Sequence, residues 1–205
     1  MVEAQEFSRK IIISEQITDN LAGEIVSIIT AINDYDEQMS VINTYEPKPI
    51  EMFINSGGGS ATAGNAIIGA MEMSDTPIIT YGLGVVASMA LAIFISGDVR
   101  IAHRFCRFMY HSVAYGNEGH IKDHEDGIKE ANILQEMYDS IFLDKTKINA
   151  EHMAKIRKEK RDFFFSGKKA VLLGVADDIM LKPEKKYDII TEEEYEKLSE
   201  SLEAI

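Results

Sequence analysis

A chain of 205 residues with a formal net charge of -13 can bury one sizeable core and is too acidic to take nucleic acid as its main partner. With 45% hydrophobic and 27% charged residues it matches an ordinary globular domain that needs neither metal nor disulfide staples. The single cysteine, Cys106, excludes an intrachain disulfide, suits a reducing cytoplasmic setting and reads as a small buried residue.

The first residues lack a basic stretch followed by an apolar one, so no secretory signal is expected. The longest apolar run, Leu83 to Ile95, is broken by small residues and falls short of the roughly 20 residues a membrane span needs. No membrane association is expected.

In chain order, Lys10 to Ile13 reads as a β-branched strand. Ile17 to Tyr35 has a helical repeat that places Leu21, Ile25, Ile28, Ile29 and Ile32 on one side. Pro49 to Ile54 is a second strand, closed by Asn55-Ser56-Gly57-Gly58-Gly59-Ser60, and Ala63 to Met73 a second helix. Ile78 to Tyr81 is a third strand that Gly82 and Gly84 are expected to break, and an apolar helix follows from Ala87 to Ile95. Val99 to Ala102 and Phe105 to Tyr110 are further strands, and Glu118 to Thr146 is a long, polar-rich helix. Shorter helices near Ala150 to Lys160 and Gly167 to Leu173 precede an acidic tail of helix-forming composition. Strands alternating with helices predict a single α/β domain over residues 1–205 with a largely parallel sheet.

Three segments could carry chemistry. Ser88 follows a strand and two glycines and opens an apolar helix, where unpaired N–H groups and the helix dipole favour an anion. The Met89 N–H could then help hold the oxyanion of acyl transfer. Serine is equally a standard helix cap, and on this segment alone capping is the simpler explanation. The G-x-S-x-G elbow does not apply, because Val86, Ala87, Met89 and Ala90 flank the serine. The triple glycine at 57–59 permits close backbone approach, yet it has neither Walker nor Rossmann spacing. His111 leaves a strand ahead of a loop holding Gly116 and Gly119, a place where a histidine can act as base. His120 and His124, four apart, could face one metal, but no H-E-x-x-H motif or cysteine pair supports this, and no metal or cofactor is expected.

Together these segments resemble the ClpP family of serine peptidases over roughly residues 9 to 180. Ile54-Asn55-Ser56-Gly57-Gly58-Gly59-Ser60 with Ala63-Gly64 is similar to its I-N-S-P-G-G loop, with Gly57 replacing proline. Gly84-Val85-Val86-Ala87-Ser88-Met89 is similar to its nucleophile segment, G-x-A-A-S-M, and Met109-Tyr110-His111 to its catalytic histidine segment. Arg157, Arg161-Asp162, Phe164, Ser166, Ala170, Gly174 and Asp177 resemble its R-D-x-x-R-D-x-F-x-S…A…G-x-x-D run.

The resemblance implies a crotonase-like spiral of βαβ units. A head would span residues 1–112 and 150–190, a handle of helix and strand residues 113–149, and an acidic extension 185–205. It implies Ser88 as nucleophile, His111 as base, Gly59 and Met89 as oxyanion-hole donors, and peptide binding along Gly58, Val113 and Gly116. It implies self-assembly into heptameric rings stacked as a tetradecamer, fed with unfolded polypeptide by an ATP-dependent unfoldase.

Three departures from the family pattern stand out. The triad aspartate aligns with Lys158, which cannot accept a hydrogen bond from the histidine and opposes imidazolium formation. Glu159 could replace it after a small backbone shift, Ser88 and His111 could work slowly as a dyad, the subunit could be an impaired structural member of a mixed ring, or Lys158 could itself be the base. Only nine residues precede the first strand, where the family usually carries a pore-loop segment, and more than twenty follow Asp177.

Overall fold

The computed structural model describes residues 8–42, 44–116, 118–159 and 162–180. The acidic tail and the first residues lie outside this description. The elements are β1 (Lys10–Ile13), α1 (Asp19–Met39), β2 (Ile50–Ser56), α2 (Ala61–Glu72), β3 (Ile78–Ala87), α3 (Met89–Ile95) and β4 (Val99–His103). They continue with β5 (Arg107–Tyr110), α4 (Ile121–Lys145), α5 (Ala150–Glu159), β6 (Phe163–Ser166), α6 (Gly167–Leu172) and β7 (Asp178–Met180).

The strands form one sheet in the order β1-β2-β3-β4-β7, all neighbours parallel. β5 leaves this path to pair in parallel with the second half of β3, and its other edge takes β6 antiparallel. This is the α/β architecture with a largely parallel sheet that strand–helix alternation predicts. Alternation sets the strand faces: Ile11 and Ile13 of β1 and Ile50, Met52 and Ile54 of β2 point into the core, while Ile12 is 68% exposed. Helix α3 is buried along its whole length, the reason its sequence is apolar all round.

Several expectations change. β3 is not broken by Gly82 and Gly84 but runs through both. Gly82 lets the rings of Phe108 and Phe94 approach, and Gly84, at a φ of +48°, bends the strand against the Asn55 side chain. The bend separates two partners, so β3 pairs β4 over Ile79–Gly82 and β5 over Val85–Ala87. Helix α1 starts two residues later than predicted, where the Leu21 N–H donates to Thr18 Oγ1, and Ile28 is half exposed rather than on the inner stripe. The aromatic run Phe163–Phe165, read only as motif, makes strand β6, and Asp178–Met180 makes β7.

Polar clamps tie the elements together. Arg100 Nε and Nη2 grip Asp177 at 3.0 and 2.5 Å while its Nη1 donates to the Lys145 carbonyl, joining β4, α4 and the approach to β7. Asp36 on α1 accepts from Arg9, Thr76 and Tyr45, which holds its carboxyl down to about 2, the Arg9 guanidinium being the main cause. Folding lowers this pKa, so the stabilisation is complete above the ordinary carboxylate value of 3.8 and is lost as pH falls towards 2. Asp36→Asn is therefore expected to cost on the order of 2 kcal/mol at neutral pH and much less near pH 2, read from urea midpoints at both.

Candidate active site

Ser88 sits where β3 hands over to α3. Its φ of +54° makes it the one non-glycine with positive φ among the described residues, in a region a β-carbon normally forbids. It holds the position of a helix cap, but its side chain makes no capping hydrogen bond. The caps Thr18, Ser60 and Ser166 all have extended backbone and accept an N–H from the first turn. The simple explanation of Ser88 as a cap therefore fails.

The strain is held from both sides. The Ser88 N–H donates to the Met109 carbonyl at 2.9 Å, and the Ser88 carbonyl accepts from Tyr138 Oη at 3.0 Å. Tyr138 stacks on Tyr110 at 5.4 Å, and Phe142 meets both rings edge-on. Burial pushes both phenols' pKa values up, so each remains a neutral donor.

The glycine loop lies against this turn. A β-carbon on Gly58 would stand 2.6 Å from Ser88 Cβ, 2.8 Å from the Ala87 carbonyl and 3.0 Å from the Met89 nitrogen. The Gly58 N–H donates to Ser56 Oγ at 3.1 Å. The loop is fixed to the segment before α1 by Ile17 N–H to Gly58 O and Ser60 N–H to Ile17 O, and neither bond uses the Gly59 N–H. Gly59 tolerates no side chain, because a β-carbon would strike the Ile17 backbone. Gly64 likewise leaves room for the Met89 side chain.

Gly58→Ala is expected to lower any activity at Ser88 by about 100-fold or more, since displacements of an ångström at a reacting group cost that much. The φ of +98° at Gly58 adds backbone strain to the clash. Unchanged acylation of Ser88 in a folded variant would contradict this packing.

A cavity of about 710 Å³ opens above the turn, lined by Ser88, Met89, Gly58, Gly59, His111 and Val113 among others. Six of the residues singled out in the sequence thus meet at one site. Gly116 is exposed and does not line it, and neither does Lys158, exposed in the last turn of α5. The side chain of Glu159 lies outside the described residues. His111 is half-buried, and among the described residues no carboxylate hydrogen-bonds its ring. Cys106 is buried, with its thiol pushed up to about 12 by desolvation, which makes it inert.

Sequence reasoning missed Gln16, Thr62, Asn65, Leu134 and Tyr138 in the lining. The last two announce themselves only as members of a helical repeat. It also missed the polar pair Gln135 and Asp139, four apart on α4 and both buried.

No helix among the described residues is long and apolar enough to cross a membrane. The chain matches the family model for Clp protease over residues 3–183. It is 30% identical over 171 residues to an ATP-dependent Clp protease proteolytic subunit of Pleurastrum terricola, covering 82% of each chain. It is 27% identical over 177 residues to ATP-dependent Clp protease proteolytic subunit 2 of Treponema pallidum (strain Nichols), covering 85% of this chain and 83% of that one. With the parallel-dominated sheet and the cavity built around Ser88 and His111, these matches place the chain in the Clp protease family of peptidases.

Proposed function

We propose that this chain is a serine endopeptidase subunit that cleaves unfolded polypeptides and peptides through an acyl-enzyme on Ser88. The observation that carries the reading is the Ser88 turn itself: a strained backbone, clamped at both ends, whose hydroxyl caps no helix and borders a cavity shared with His111. His111 removes the Oγ proton as Oγ attacks the scissile carbonyl, then gives that proton to the leaving amine as the C–N bond breaks. Water, deprotonated by the same ring, releases the acyl group. The Gly59 and Met89 N–H groups receive the oxyanion, and the peptide lies extended beside Gly58, Val113 and Gly116.

The assembly is a single-domain subunit in heptameric rings stacked as a cytoplasmic tetradecamer. Its support is α4, whose Ile121, Ile128, Ile133 and Met137 are 48–81% exposed and so leave apolar surface for a second subunit to cover. The relatives' names describe ATP-dependent proteases, which fits delivery of substrate by an ATP-driven unfoldase. A second reading, an impaired structural subunit of a mixed ring, is favoured by Lys158 at the position of the triad aspartate.

The test is a fluorophosphonate probe applied to the assembled protein, in which Ser88 Oγ bonds to phosphorus and fluoride leaves. Mass spectrometry should find the adduct on the peptide holding Ser88. An assembled ring that takes no label would sink the active-peptidase reading.

A further inference from the structure

The segment that carries His111 is held by a buried polar cluster that the catalytic chemistry does not use. Asp139 Oδ1 accepts from Tyr110 Oη at 2.6 Å and from Gln135 Nε2 at 2.8 Å, while Asp139 Oδ2 accepts from Arg157 Nη1 of α5 at 2.9 Å. Gln135 Nε2 also donates to Tyr110 Oη at 3.2 Å. The other end of the same amide, Oε1, accepts the backbone N–H of Val113 at 2.7 Å. Only this orientation of the amide serves both ends, since the carboxylate needs a donor and the Val113 N–H an acceptor.

His111 thus sits between two anchored neighbours: Tyr110 by its side chain, Val113 by its backbone. Both anchors lead to one carboxylate on α4, Tyr110 directly and Val113 through Gln135, and both Gln135 and Asp139 are 9% exposed or less. A core position that only had to fill space would be filled more cheaply by leucine, because buried polar groups cost free energy unless fully paired. The pairing here is complete: among the described residues no buried side-chain polar atom lacks a partner. The Val113 N–H is turned to α4, so this residue meets a peptide in the cavity with its other atoms.

We propose that Gln135 and Asp139 are positioning residues that fix residues 110–113, and so set both the His111 ring and the peptide-binding edge at Val113. Arg157 extends the clamp to α5, the helix that carries the third-member candidates Lys158 and Glu159. The inference rests on the peptidase reading for its effect on catalysis, not for the clamp itself.

The test compares Gln135→Met with Gln135→Glu in the full chain. Methionine matches the shape but supplies neither the strong acceptor nor the donor. It is expected to raise KM for a fluorogenic peptide by roughly 3- to 10-fold, the size of one lost hydrogen bond. Glutamate keeps an acceptor for the Val113 N–H but sets a second carboxylate beside Asp139. It should return KM towards the native value while lowering the thermal midpoint below that of the methionine variant. A merely structural role predicts that KM and stability worsen together, with glutamate the poorer of the two, and that result would overturn the proposal. Hydrogen exchange of the peptide spanning residues 111–115 supplies a readout independent of turnover. Exchange should quicken with methionine and not with glutamate, and equal exchange in all three proteins also overturns it. If the native protein neither labels nor hydrolyses, the peptidase reading fails while the exchange result still decides the clamp.

Discussion

Ser88→Ala is expected to abolish fluorophosphonate labelling and to cut peptide hydrolysis by about 10⁴-fold or more, with thermal stability nearly unchanged. The size follows from removing the nucleophile of a covalent mechanism, which leaves only the residual effects of binding and the oxyanion donors. Stability holds because the hydroxyl caps no helix, so its loss leaves no turn N–H without a partner. Ser88→Gly sharpens the point. Glycine adopts a φ of +54° without a β-carbon penalty, so the variant should be as stable as the native protein or about 1 kcal/mol more stable, and equally inactive. Thermal midpoints beside turnover of a fluorogenic peptide measure both effects. A structural serine would show the opposite order, with stability falling and no catalytic step to lose.

Much of this site is legible in the sequence because its parts are local. The chain needs small residues where backbone must touch backbone, and Gly58 and Gly59 meet that need against Ser88 and Ile17. The inward faces of β1 and β2 follow from alternation alone. What escapes local reading depends on company from far away. Gly84 looks like a strand breaker until β3 is seen to change partners there, from β4 to β5. Strand β6 exists because β5 has a free edge for Phe163–Ser166, a fact fixed only by the assembled sheet. Gln135 and Asp139 look like the polar face of a helix, and it takes Tyr110, Val113 and Arg157 to turn them inwards. Helix α4 keeps other apolar residues out of the core, since Ile121, Ile128, Ile133 and Met137 are exposed.

The third member of the catalytic set is where sequence and structure leave the most chemistry to account for. An imidazole that must take a proton from a hydroxyl gains from a carboxylate that fixes its tautomer and stabilises its cation. Lys158 cannot do this, and it lies exposed at the end of α5 without lining the cavity. Glu159 is the next carboxylate in sequence, and Arg157 ties that part of α5 to α4 through Asp139. Across the sheet, the register that pairs Tyr110 with Phe163 leads on to His111 opposite Asp162. Glu159→Gln is accordingly expected to slow acylation of Ser88 by roughly 10²- to 10⁴-fold, the upper end being the loss seen when a triad aspartate becomes asparagine. In that background Lys158→Asp should recover most of the rate, because a carboxylate then occupies the position the family pattern assigns to it. If Glu159→Gln leaves labelling untouched while Lys158→Asp alone accelerates it, Glu159 does not serve in the native chain, and Asp162, which the β5–β6 register brings opposite His111, is the carboxylate left to test. Lys158 then holds the subunit below its catalytic capacity.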